Sequence, residues 1–133
     1  MIQVNVNYLL DGKSTKASYL TSLLSVSDAE RQVIKYVADM YGVEDADVTS
    51  VKKPKIKEVL GSDGDSYYKA VVTFTTLDEV SGKEKSTRCS YIICAHNFDA
   101  AFKTLKEYLS DSITDYSIDA ISTTNICDYL DEE

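Results

Sequence analysis

The chain of 133 residues has no tryptophan, one proline, one histidine and three cysteines. Each scarcity removes a class of function. The single histidine, His96, cannot build most zinc centres, which need three or four protein ligands. Cys89, Cys94 and Cys127 are odd in number and show no C-x-x-C spacing, so reduced thiols in a cytosol are expected rather than a disulfide framework. All three sit in apolar, strand-like surroundings, where a free cysteine behaves as a small hydrophobe. No apolar run reaches the roughly 18 residues of a membrane span. The opening Met1-Ile2-Gln3-Val4-Asn5 also lacks the basic and apolar regions of a signal peptide, and a soluble cytoplasmic protein is predicted.

Basic charge is scarce as well. Lys and Arg number 14 against 22 Asp and Glu, for a net charge of −8. Divided at Ser66, the first half holds 8 basic and 10 acidic residues (−2) and the second 6 and 12 (−6). Such a balance repels phosphate backbones and argues against direct nucleic-acid binding, while it suits a partner with a basic surface. Phosphate-loop and nucleophile-elbow signatures are missing too: Gly82-Lys83 lacks the preceding glycines, and neither G-x-G-x-x-G nor G-x-S-x-G occurs.

What the chain does contain is alternation. In Tyr67–Leu77, Tyr68, Ala70, Val72 and Phe74 share one face of a strand, and Lys69, Val71, Thr73 and Thr75 share the other. Ile2–Leu10 sets Ile2, Val4, Val6, Tyr8 and Leu10 against Gln3, Asn5 and Asn7; Asp11-Gly12 then predicts a hairpin into a strand over Ala17–Val26. Ser27 with Glu30 reads as a capping box, Ala29, Val33, Tyr36, Val37 and Met40 as a helical stripe, and Gly42 as its end. A long strand with a bend or edge at Pro54 is expected over Asp47–Leu60.

The second half repeats this order: Ser81-Gly82-Lys83, a strand over Ser86–Ala95, a helix capped by Asn97 and a long strand over Tyr116–Leu130. The helix stripe is Phe98, Ala101, Phe102, Leu105, Tyr108 and Leu109. The acidic tail Asp131-Glu132-Glu133 follows. A shift of 70 residues superposes Gly12-Lys13 on Gly82-Lys83, Ser27 on Asn97, Val48 on Ile118, Val51 on Ile121, Ile56 on Ile126 and Leu60 on Leu130, and the helix stripes fit a shift of 72. The predicted fold is α+β: a single domain of two tandem ββαβ repeats, 1–62 and 67–130. They form one mostly antiparallel, about six-stranded sheet with both helices on one face.

Several residue groups are candidates for chemistry or binding. Cys94 and His96 share a strand face, but same-face neighbours lie roughly 6.5–7 Å apart at Cα, too far for a thiolate–imidazole pair. Asp63-Gly64-Asp65 resembles the opening of a calcium loop without its closing Glu and is read as a turn. Lys53, Lys55 and Lys57 project from one face of the third strand, to take an anionic ligand or the acidic half of another copy, or to protect an edge from strand addition. Among ten tyrosines, Tyr67, Tyr116 and Tyr129 are expected on the open sheet face, where tyrosine's apolar body and polar tip suit an interface. No catalytic residue, metal ligand or cofactor is assigned.

Three stretches, Ser25-Val26-Ser27-Asp28-Ala29-Glu30-Arg31, the run from Phe74 to Lys85, and the run from Ala120 to Asp128, resemble a family of Bacteroidetes and their phages known as domain of unknown function 4494. Members open each half with a tryptophan-bearing strand. Here those places hold Gln3-Val4-Asn5-Val6-Asn7 and Tyr67-Tyr68-Lys69-Ala70-Val71, which makes the chain a divergent member. The resemblance implies a host range and no mechanism. The expected function is a non-enzymatic protein-binding or assembly module, self-associating as a homodimer or contacting a protein partner. The alternatives are a phage-type acidic inhibitor of a nucleic-acid-binding or defence protein, and a binder of a small anionic ligand such as a nucleotide.

Overall fold

Alternation in the first strand sorts its side chains as the pattern requires. In the computed structural model, which describes residues 1–62 and 64–131, β1 (Ile2–Leu10) buries Ile2, Val4, Val6 and Tyr8 and leaves Gln3, Asn5 and Asn7 half-exposed. Asp11 and Gly12 both take positive φ, the geometry of a two-residue hairpin turn, and return the chain antiparallel as β2 (Lys13–Thr21). Helix α1 (Val26–Tyr41) lays Ala29, Val33 and Val37 on the apolar face, and Gly42 closes it in a left-handed conformation. β3 (Asp47–Lys52) then pairs antiparallel with β1.

The second half uses the same devices. β5 (Ser66–Leu77) and β6 (Glu84–Ala95) pair antiparallel, α2 (Phe98–Leu109) buries Ala101, Leu105 and Leu109, and β7 (Asp115–Thr123) pairs with β5. The Asn97 side chain caps α2, accepting from the Ala100 amide at 2.7 Å as its position predicts. In α1 the cap is Ser25 rather than Ser27. Ser25 is the last residue in extended conformation and its hydroxyl accepts from the Asp28 amide, so Ser27 already lies within the first turn.

Both long-strand expectations are corrected. The stretch 47–60 breaks after Lys52, and its remainder, β4 (Glu58–Leu60), pairs in parallel with β6; the stretch 116–130 breaks at 124–125, and its remainder, β8 (Ile126–Leu130), pairs in parallel with β2. Each end piece joins the sheet of the opposite half. The single six-stranded sheet is therefore replaced by two mixed four-stranded sheets, ordered β3-β1-β2-β8 and β4-β6-β5-β7. Contacts divide the chain accordingly: a first unit of Met1–Pro54 with the segment beginning at Asn125, and a second unit of Lys55–Thr124. Each unit has its own apolar core between helix and sheet. Among the described residues no helix is long and apolar enough to cross a membrane. Asp63, and Glu132 and Glu133 of the acidic tail, lie outside the described residues.

Each parallel strand is held by the same arrangement. In the first unit Tyr36 of α1 packs edge-on against buried Tyr19 at 5.3 Å, and its hydroxyl donates to Asp128 of β8 at 2.7 Å. In the second, Tyr108 of α2 packs edge-on against buried Tyr91 at 5.5 Å and donates to Glu58 of β4 at 2.6 Å. Leu130 and Leu60, two residues beyond each carboxylate, are both 8 % exposed and anchor the strand in its core.

Two outcomes test this account. Thr21 is fully buried opposite Ile2 and Leu130, and its hydroxyl has no hydrogen-bond partner among the described residues. Thr21→Val removes that unpaired group at nearly constant shape and is expected to raise stability by about 1 kcal/mol in denaturant unfolding. The second concerns alkaline pH. The hydrogen bond to Glu58, with burial and the carboxylate's charge, pushes Tyr108 up to about 12 from 10.0. A folded-state value above the unfolded one gives a contribution complete below pH 10 that disappears as pH rises toward 12. Difference absorbance at tyrosinate wavelengths, protein minus Tyr108→Phe, should place this ionisation near 12 and, in a Glu58→Gln background, move it back toward 10.

Candidate functional site

The face of the first sheet away from α1 carries an amide row. Gln3, Asn5 and Asn7 alternate along β1, and each amide reaches a hydroxyl on a neighbouring strand: Gln3 Nε2 donates to Ser18 Oγ at 2.7 Å, Asn5 Nδ2 to Ser50 Oγ at 2.7 Å, and Ser14 Oγ donates to Asn7 Oδ1 at 3.1 Å. A bulge shapes the middle of this face. Asn5 pairs with Ser50 but Val6 pairs with Val48, so Thr49 is the extra residue, and its hydroxyl donates to the Asn5 carbonyl at 3.2 Å. Asn5, Lys16, Ser18, Thr49, Ser50 and Asn125 thereby line a cleft of about 420 Å³ across β3, β1 and β2, closed by the residue just before β8.

The chemistry of this cleft is hydrogen bonding. Lys16 brings the one charged side chain among the lining residues; the other polar side chains are neutral amides and hydroxyls. Asn5 Oδ1 is shielded from solvent and has no hydrogen-bond partner among the described residues. A buried acceptor without a donor costs about 1–3 kcal/mol.

The helix-free faces are closed elsewhere. Ser18 and Leu20 of β2, and Ile92 and Cys94 of β6, point away from their helices yet are buried, Leu20 completely. Of the tyrosines expected there, Tyr67 and Tyr129 do lie on helix-free faces, half-buried and in different units. The Tyr67 carbonyl accepts from Thr124 Oγ1, and burial is the main cause that raises Tyr129 above the usual tyrosine value. Tyr116 is corrected: it faces the helix side, paired with Phe74 across β5 and packed against the second core.

The three lysines do not share a strand face. β3 ends at Lys52, and Lys53, Lys55 and Lys57 lie exposed in the stretch leading to β4, Lys53 in the first unit and the others in the second. Pro54 and the charges around it end the ladder that the alternation seemed to continue. The Lys57 amide donates to the Ser90 carbonyl at 2.8 Å, and its ammonium lies 5.4 Å from the Phe74 ring centre.

Cys94 and His96 are held apart by different partners. The Cys94 thiol points at the Gly64 carbonyl at 3.4 Å, and His96 Nδ1 lies 3.6 Å from an Asp65 carboxylate oxygen, with both of those side chains largely exposed. The turn passes so close to β6 that a Cβ on Gly64 would come within 2.4 Å of the Ala95 backbone. Among the described residues no cluster of three or more metal-ligating side chains occurs.

Of the cleft residues, Asn5 is legible, with its row neighbours Gln3 and Asn7, as part of the polar face of an alternating strand. Thr49 and Asn125 are not, because a bulge and a strand break place them. No curated protein and no solved structure matches the chain. Residues 3–132, nearly its whole length, match the family described as Domain of unknown function (DUF4494), and the chain belongs to that family.

Proposed function

We propose that the protein is a binding module that holds an extended segment of a protein partner in the amide and hydroxyl cleft of its first unit. The observation that carries this reading is an internal comparison. We also propose that the two units descend from one duplicated ββαβ unit. A shift of 72 takes Tyr19 to Tyr91, Ala29 to Ala101, Val33 to Leu105, Tyr36 to Tyr108 and Val37 to Leu109, each pair buried or placed alike. A shift of 70 takes Glu58 to Asp128, Leu60 to Leu130 and the bulge residue Thr49 to Asp119.

Within this shared frame the cleft differs. The second unit has the same bulge, but Val71 faces Ala120 where Asn5 faces Ser50 in the first. An apolar pair thus meets the needs of the fold at that position. The amide, the hydroxyl and the unpaired Asn5 Oδ1 are extra to those needs, as expected of groups kept for recognition. Groups that bond without titrating suit the backbone of an extended polypeptide, whose N–H and C=O need both donors and acceptors. The bacterial cytoplasm, with the gene carried by host or phage, is the setting assumed, and free Cys89, Cys94 and Cys127 are in keeping with it.

The test installs the second unit's pair in the first. In the source organism, a photo-crosslinking phenylalanine replacing Lys16 is expected to trap a discrete protein adduct, and the same group replacing Lys103 on α2 is not. The double substitution Asn5→Val, Ser50→Ala should abolish the adduct while the purified protein keeps a thermal midpoint within a few degrees of the parent. An adduct that survives the double substitution, or forms equally from position 103, overturns the proposal.

A further inference from the structure

The internal comparison exposes a second site, in the other unit and independent of the cleft. Tyr8 and Phe74 occupy the same place, each on the helix-covered face of its unit's first strand and two residues beyond the bulge partners Val6 and Val72. In the first unit the 16-residue α1 reaches far enough for its last residue, Tyr41, to stack on Tyr8 at 6.1 Å, and Tyr8 is 6 % exposed. In the second unit α2 has only 12 residues, while β5 and β6 have 12 each against 9 for β1 and β2. The shorter helix covers less of a longer hairpin, and Phe74 and Tyr116 remain half-buried beside one another, 6.4 Å between ring centres.

What lies over this pair is positive charge. Lys57 sits 5.4 Å from the Phe74 ring, and Lys106 sits 6.0 Å from Tyr116 and 5.7 Å from Phe102. Neither ammonium has a carboxylate within ion-pair distance among the described residues, although the chain carries 22 acidic side chains against 14 basic ones. Asp115, next to Tyr116, lies one position along the strand and so on the opposite face. Ring faces attract ammoniums by about 0.5–1 kcal/mol at exposed sites and leave their remaining N–H donors open to an anion.

We propose that the Phe74–Tyr116 pair, flanked by Lys57 and Lys106, binds an acidic segment of a partner protein. Carboxylates of that segment pair with the two ammoniums, and an apolar or aromatic side chain between them covers the rings. Charge complementarity selects this occupant: against the net charge of −8, the two ammoniums over the rings make a local cationic, aromatic-floored spot that attracts carboxylates at short range and offers little to a basic segment. The ring floor favours a polypeptide over a free anion, because an inorganic anion would leave the uncovered apolar surface in water.

The probe is a capped pentapeptide, Glu-Glu-Phe-Glu-Glu, titrated into the ¹⁵N-labelled full chain. Shifts are expected at Lys57, Phe74, Lys106 and Tyr116, with none from the Gln-Gln-Phe-Gln-Gln analogue. The double substitution Lys57→Gln, Lys106→Gln removes two exposed ion pairs and should weaken binding roughly five- to tenfold. Salt raised from about 0.1 M to about 1 M shortens the screening length from ~10 Å to ~3 Å and should weaken it as well. The proposal fails if the peptide shifts other residues or none, if the glutamine variant binds equally, or if inorganic phosphate alone reproduces the shifts at lower concentration.

Discussion

Both sheets depend on a strand that arrives from the opposite half of the chain. Ser18 pairs with Ile126 and Tyr91 with Glu58, so β8, from the end of the second half, completes the first sheet, and β4, from the end of the first half, completes the second. Such strands are short, lie at an edge, and have one ladder each, which alone gives marginal stability. Two contacts supply the rest: a leucine sunk in the core, and a carboxylate that accepts from a helix tyrosine. The tyrosine is itself fixed edge-on against a fully buried tyrosine of the central strand. One tyrosine thus ties helix, sheet and parallel strand together, and it needs its proton to do so.

That constraint explains which parts of the fold were legible. Hairpins, helices and their buried stripes follow from local periodicity, and Asp11-Gly12, Gly42 and Asn97 punctuate the chain where their chemistry predicts. The destination of β4 and β8 does not follow. Val59 and Leu60, or Tyr129 and Leu130, would satisfy the alternation of a continued strand equally well, because an apolar side chain encodes burial and not the identity of the sheet that buries it. Pro54 marks a bend or edge in the pattern and not a break, because an edge strand and a crossing segment both tolerate a residue without an N–H. Tyr116 was misplaced for a related reason. The bulge at Asp119 shifts the register of β7, so the face of its first residues cannot be counted back from Ile121.

The cleft was legible in part for the same reasons. Asn5 in its floor belongs to the polar half of an alternating strand, visible in Gln3, Asn5 and Asn7. Its walls come from a bulge and a strand break, features set by the whole sheet. Nothing in the identity of Thr49 or Asn125 distinguishes them from other polar residues in turns, and a pocket built by register is invisible to local pattern.

Under the proposed duplication, each unit serves as a reference for what the other requires. Positions where the units agree, Tyr19 with Tyr91, Tyr36 with Tyr108, Leu60 with Leu130, are those that close the core and hold the exchanged strand. Positions where they disagree lie outside that requirement: Asn5–Ser50 against Val71–Ala120, and a Tyr8 covered by Tyr41 against a Phe74 left to two lysines. An unpaired buried acceptor and an uncovered aromatic pair both cost stability in the isolated chain. Because the other unit solves the same packing problem without either cost, neither is forced by the fold, and the two proposed recognition sites rest on that difference.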